Sequence, residues 1–349
     1  VQEWVKINIT RQEGVFAMSD TKSAPFVFGI YPGGNTGAPG ITNVSDDPVA
    51  IQKALDCLSA HQSPFVVRGY LPYRGGLYPY GTDALETPMN VEQYLRAGRK
   101  LDLVLTFRQP DLAGWLSFIR QTIRRYGSQL SFLQITEEAN VTTVAVVDGS
   151  TPQVRQALVQ GVIAAKEEIL RCGLDIQVGF NAAINFNPAD DFWTSIAALG
   201  GKPFLEALDY VGLDFFPDVF RRLAPDGQPG DLRASVALVL AHFRQVSLAA
   251  AGIAPSVPIH IAETGWPTGP ERSYERQAEV LERVISVIYE HREQFNITHY
   301  EHFSLRDANS ANPDLFAQFG LLRDDYTPKP AFERYCQLLA RLESDAATQ

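Results

Sequence analysis

Cysteine, methionine and tryptophan are scarce: three, two and four in 349 residues. Cys57, Cys172 and Cys336 are odd in number, far apart and form no C-x-x-C pair. A disulfide framework uses dense, even cysteines, so three buried thiols are expected. Basic charge is also short, with 30 Lys and Arg against 40 Asp and Glu and a formal net charge of −10. A sequence-independent nucleic-acid binder needs a basic stripe to neutralise phosphates, and this balance argues against one. No apolar run reaches the roughly 18 residues of a membrane span, so no membrane insertion is expected. Residues 1–20 carry charges every few positions, unlike the apolar core of a secretion signal. Four N-x-[ST] sequons, starting at Asn8, Asn43, Asn140 and Asn296, are a weak signal for export. A water-soluble protein follows, with its compartment open.

What is present has the balance of a globular enzyme: 45% apolar residues, 20% charged, 26 Gly and 22 Pro. Short runs rich in Val, Ile, Leu and Phe predict strands at 26–31, 65–70, 101–107, 130–137, 174–180, 208–216, 257–263 and 297–303. Amphipathic stretches between them predict helices at 47–60, 112–126, 152–172, 232–251 and 274–292, with a last helix starting near Pro328 and Pro330. Eight strands alternating with helices predict an α/β protein, a single-domain (β/α)8 barrel over 26–349, after an N-terminal extension at 1–25. A doubly wound sheet is the competitor, but no G-x-G-x-x-G follows the first strand. Gly33-Gly34-Asn35-Thr36-Gly37 lacks the Gly-Lys-Ser/Thr of a phosphate loop and reads as an irregular loop over the barrel mouth.

In such barrels the chemistry sits where strands end. The residues there include Tyr31, Arg68, Tyr70, Gln109, Glu137, Glu138, Asn181, Asp214, Phe216, Glu263, Trp266, His302 and Arg306. Carboxylates, aromatics, amides and arginines in one ring suit a sugar, whose faces stack on rings and whose hydroxyls need polar partners. Two glutamates, Glu138 on strand four and Glu263 on strand seven, would face each other across the mouth. Such a pair suits retaining glycoside hydrolysis, in which one carboxyl donates a proton while the other attacks the anomeric carbon. His299 and His302 lie three apart on one strand, on opposite faces, so they cannot share a metal.

The segment Ala262-Glu263-Thr264-Gly265-Trp266-Pro267-Thr268 closely resembles the E-T-G-W-P-S/T signature around the nucleophile of clan A glycoside hydrolases, above all the family of the plant β-1,3-glucanases and its neighbours. Thr136-Glu137-Glu138-Ala139-Asn140 resembles the clan's N-E-P-N segment, with the acid/base second. Leu322 to Phe332 resembles its approach to the last helix, and Arg68 matches an arginine near the nucleophile. The resemblance implies catalysis by Glu138 and Glu263, with Tyr31, Arg68, Glu137, Asn181, Phe216, Trp266, His302 and Arg306 around an oligosaccharide or polysaccharide, and no metal or cofactor.

Three departures stand out. Glu137 replaces the asparagine whose amide binds the sugar 2-hydroxyl, and an ionised carboxylate only accepts hydrogen bonds. Strand six offers Phe215 and Phe216 where the clan commonly has a tyrosine on the nucleophile. Strand eight lacks the usual tryptophan under the sugar. Strict alternation would turn Glu137 away from the mouth; an early end to strand four would put it in the amide's place, which the alignment with N-E favours. The alternative to a hydrolase is a barrel that binds carbohydrate or a partner without cleaving. A phosphate-handling barrel fits less well, because no glycine-rich anion site follows strands seven or eight.

Overall fold

A computed structural model describes residues 26–60, 64–75, 87–220 and 231–348. The expected extension at 1–25 lies outside the described residues. The apolar runs form eight strands: β1 (Val27–Ile30), β2 (Phe65–Tyr73), β3 (Lys100–Phe107), β4 (Leu130–Ile135), β5 (Gln177–Ala183), β6 (Tyr210–Asp214), β7 (Ile259–Thr264) and β8 (Ile297–His302). They pair in parallel and in order, and β1 pairs with β8 to close the barrel. The chain is therefore the expected single-domain (β/α)8 barrel.

Around it lie α1 (Pro48–Ser59), α2 (Leu112–Tyr126), α3 (Val154–Cys172), α4 (Phe192–Ala207), α5 (Leu232–His242), α6 (Leu248–Ala250), α7 (Tyr274–Glu290), α8 (Arg292–Phe295) and α9 (Pro330–Thr348). Their starts are written in the sequence. Asp47, Asp111, Asp231 and Ser273 each accept a backbone N–H of the following helix, and Pro48 and Pro330 occupy first turns, where no donor is lost. Gly173 ends α3 with φ 63°, and Leu174 N–H returns to Ile169 C=O. That left-handed cap moves the start of the fifth strand from the expected Leu174 to Gln177. Between β2 and β3 the described residues hold only one 3₁₀ turn, Val91–Tyr94, so this unit departs from the βα repeat.

The barrel interior is stratified. Val66, Phe132, Tyr210, His260 and His299 form its floor, where His260 stacks on Tyr210 at 4.0 Å and on His299 at 4.7 Å. Burial keeps both imidazoles neutral, with His299 pushed down to about 4. Above them, Arg68, Asp102, Gln134 and Glu301 form a polar layer beneath the mouth. Such layers, drawn from alternating strand positions, are how a parallel barrel fills its centre.

The cysteines are less hidden than expected. Cys57 on α1 is exposed, while Cys172 and Cys336 are half-buried. The sequons also lose force as export signals. The Asn140 amide is bonded both ways to the Ala183 backbone, and the Asn296 amide holds Pro255 and Ser256 carbonyls. Among the described residues no helix is long and apolar enough to cross a membrane.

Candidate active site

The end of β4 decides the site's shape. The strand stops at Ile135, two residues earlier than expected, and Thr136 takes φ 65°. A β-branched residue in the left-handed region is an outlier, and it breaks the alternation that would have sent Glu137 outward. Asp148 fixes the break. Its Oδ2 accepts the N–H of Phe107 at 2.8 Å and of Glu137 at 2.9 Å, tying the ends of β3 and β4 together. Glu138 follows with φ 42°, its N–H donated to Asn181 Oδ1 at 2.8 Å. Both glutamates therefore turn toward the centre.

Glu137 is 6% exposed. Its carboxylate accepts from Gln134 Nε2 at 2.8 Å and Asn181 Nδ2 at 3.1 Å, and Arg68 Nη2 lies 3.7 Å away. Glu138 is half-buried, and among the described residues no donor meets its carboxyl. Burial first, then the charges of Glu137 and Glu263, hold it protonated well above the ordinary carboxyl range.

A register irregularity in β7, between Ile261 and Thr264, re-aims Glu263 inward beside His260 and Ala262, which share the interior face. Tyr70 donates its hydroxyl to Glu263 Oε1, and Arg68 Nε lies 3.7 Å from the same oxygen. Arg68 Nε also donates to the Tyr70 oxygen at 2.8 Å, so one guanidinium orients both. Its other nitrogens reach Asp102 at 2.7 Å and Gln134 at 2.8 Å, with Glu301 at 3.9 Å. Despite these donors, Glu263 is pushed up to about 8, by burial first and then by Glu137.

Asp214 closes β6 beside them. Asn181 Nδ2 donates to its Oδ2, and burial, followed by the charges of Glu137, Glu263 and Glu138, keeps it protonated. Arg68 thus lies beneath a site where the carboxyls of Glu137, Glu138, Asp214 and Glu263 meet. Tyr31 forms part of the wall. Its ring meets Tyr70 at 5.4 Å and stacks on Phe303 at 5.2 Å, while its hydroxyl donates to the Asn35 carbonyl at 2.7 Å. Phe216 is half-buried at the rim.

Three residues expected at the sugar lie elsewhere. His302 faces the helices: its Nδ1 is 3.2 Å from the Tyr300 hydroxyl and its ring 5.7 Å from that of Tyr335 on α9. Alternation along β8 sends His299 and Glu301 inward and leaves His302 outside. Arg306 is a loop staple. Its guanidinium holds Asp46 at 2.6 Å and the backbone carbonyls of Val44 and Asp307. Trp266 is buried in the core cluster with the Arg272 guanidinium 4.8 Å above its ring, so packing occupies it.

Gln134 is the residue that sequence reading passed over, while Tyr70 and Asp214 were placed at strand ends without a role. The role of Tyr70 follows from asking which other aromatic near a strand end replaces the missing strand-six tyrosine. Gln134 shares the inward face of β4 with the polar layer, a placement that alternation alone gives.

No family model and no curated protein matches this chain. Its likeness is to solved structures. A family 39 glycoside hydrolase from Bacteroides cellulosilyticus WH2 superposes with a TM-score of 0.60 at 14% identity, covering 91% of this chain. This chain spans 64% of that protein's length. A structure from a study of two fungal β-1,4-galactanases gives 0.60 at 11% identity, over 90% of this chain and 100% of the other. A Rhizomucor miehei β-1,3-glucanosyltransferase, solved as an active-site mutant with laminaritriose, gives 0.55 at 17% identity, over 87% and 96%. At these identities the likeness establishes the fold: a barrel of the kind found in glycoside hydrolases.

Proposed function

We propose that this chain is a retaining glycoside hydrolase acting on a β-linked oligosaccharide or polysaccharide, with Glu263 as nucleophile and Glu138 as acid and then base. The observation that carries this reading is the unequal surroundings of the two glutamates. Glu263 receives the Tyr70 hydroxyl and lies beside Arg68, both of which favour its anion. Among the described residues Glu138 has no such donor, and it sits among carboxyls, which favours its neutral acid. Environments that differ in this way separate the roles of two chemically identical groups.

In the first step Glu138 gives its proton to the leaving oxygen while a Glu263 oxygen bonds the anomeric carbon. In the second, Glu138 takes a proton from water, which attacks that carbon and frees Glu263. Asn181, bonded to the Glu138 backbone, holds the acid in place. Glu137 accepts a hydrogen bond from the sugar's 2-hydroxyl. This double displacement needs only the two carboxyls and no metal or cofactor. The strand-seven resemblance makes β-1,3-glucan the first substrate to try.

A panel of aryl β-glycosides and soluble β-glucans, assayed at about pH 7 and about pH 9, tests the reading. The alkaline arm matters because Glu263 ionises only near 8. Turnover that disappears in Glu263→Ala and Glu138→Ala supports the proposal. Binding without turnover at either pH, or an inverted product, would favour a barrel that holds sugar without this chemistry.

A further inference from the structure

Among the described residues four aromatic side chains are exposed: Phe186 at 44%, Phe220 at 61%, Tyr274 at 36% and Phe316 at 37%. They follow β5, β6, β7 and β8 respectively, so all four stand on the end of the barrel where the carboxyls meet. Two of them form a pair, with the Phe220 and Phe316 rings 5.7 Å apart and inclined by 32°. Buried Phe319 lies 6.1 Å from Phe316 and 5.6 Å from Phe216, anchoring the pair from below.

From that pair a run of rings leads inward. Phe216 lies 5.6 Å from Phe220 and 6.3 Å from Phe303, and Phe303 stacks on Tyr31. Tyr31 meets Tyr70, whose hydroxyl is on Glu263. The exposed patch is thus continuous with the candidate nucleophile. Phenylalanines offer no hydrogen bonds, so they suit the C–H face of a pyranose rather than its hydroxyls.

We propose that Phe220 and Phe316 form a stacking subsite for a sugar unit remote from the scissile bond, so that the substrate is an oligosaccharide running from Glu263 across the loops after β6 and β8. This rests on the glycosidase reading. In the double variant Phe220→Ala/Phe316→Ala, KM for a soluble oligosaccharide of the preferred linkage should rise about tenfold. The kcat/KM for the matching aryl monosaccharide, which cannot reach the pair, should stay within about twofold. Phe220→Trp should keep the oligosaccharide KM. Equal losses on both substrates, or none on the oligosaccharide, would overturn the subsite. If the native protein cleaves nothing, calorimetry with the same oligosaccharide still decides it: binding lost in the double variant supports the platform, and no binding by the native protein refutes it. A native dimer that the variant dissociates would assign the rings to a protein interface instead.

A separate observation carries a second inference. Cys57 on α1 and Cys336 on α9 place their sulfurs 3.6 Å apart, on the helices flanking the β1–β8 closure. We infer that the pair forms a disulfide with a small disulfide oxidant such as oxidised glutathione. The exposed Cys57 thiolate attacks one glutathione sulfur and expels a glutathione thiolate. Cys336, deprotonated by solvent base, then attacks Cys57 Sγ and expels the second. Two protein thiols are oxidised and one glutathione disulfide is reduced to two thiols. Burial and Cys57 push the Cys336 thiol up to about 12, so the second step should quicken as pH rises. Treated protein should lose two hydrogens by intact mass and melt several degrees higher, about what a long closed loop provides, with both changes reversed by reductant and absent in Cys57→Ser and Cys336→Ser. A stable glutathione adduct on Cys57, or a dimer linked through it, would overturn the inference.

Discussion

On the proposed reading, Tyr70 supplies the hydroxyl to the nucleophile that strand six does not. With Phe215 and Phe216 at the end of β6, the hydroxyl on Glu263 comes from β2, held by Arg68. A hydrogen bond to a charged group contributes about 1.5–3 kcal/mol, so Tyr70→Phe should lower kcat about tenfold or more, with KM little changed. Steady-state kinetics on the best substrate checks this. Glu137 acts on the same carboxyl through its charge. After burial it is the largest influence raising Glu263, and likewise Glu138. Glu137→Gln should therefore shift the acidic limb of the kcat/KM profile below about pH 8, together with its alkaline limb. An unmoved profile would place Glu137 outside the electrostatics of the pair.

At the scale of elements, the loops after β7 and β8 are held by one buried cation. Lys329, just before α9, meets Asp307 at 2.7 Å and donates to Thr268 Oγ1 at 2.8 Å, with both charged side chains fully buried. Asp307 also accepts from Gly320 N–H at 2.9 Å. Lys329 thereby fastens the loop that follows Glu263. Removing one partner leaves an unpaired buried charge, so Lys329→Met should destabilise the protein by about 3–5 kcal/mol in denaturant unfolding. Adding Asp307→Leu should recover part of that loss. Recovery would identify the penalty as uncompensated charge rather than lost packing.

For the whole molecule, the barrel was legible because its runs of Val, Ile, Leu and Phe alternate with capped amphipathic helices, and the place of Glu263 at a strand end because it closes one of those runs. Local irregularities were not legible. Alternation says nothing of a left-handed Thr136, and a bulge in β7 leaves no compositional trace, yet these turn Glu137 and Glu263 inward. The outward face of His302 did follow from alternation, once the polar interior of β8 was known to be His299 and Glu301. Arg306 and Trp266 were misplaced because a charged or aromatic residue beyond a strand end serves loop packing as readily as a ligand.

The site also sets how stability responds to pH. The folded protein raises Glu263 from an ordinary 4.5 to about 8, so its neutral form is favoured. That contribution is complete below about 4.5 and is lost as pH rises through about 8. Glu263→Gln should accordingly melt higher than the native protein at pH 8 and differ little at pH 4.5, as calorimetry would show.

The central claim is a covalent glycosyl-enzyme on Glu263. Incubation with a mechanism-based 2-deoxy-2-fluoro glycoside of the preferred sugar, followed by proteolysis and mass spectrometry, tests it most directly. The account predicts a single modified peptide carrying the sugar on Glu263, and no label in Glu263→Ala. A label on Glu137, Glu138 or Asp214, or turnover of the parent glycoside with no trapped intermediate, would contradict it.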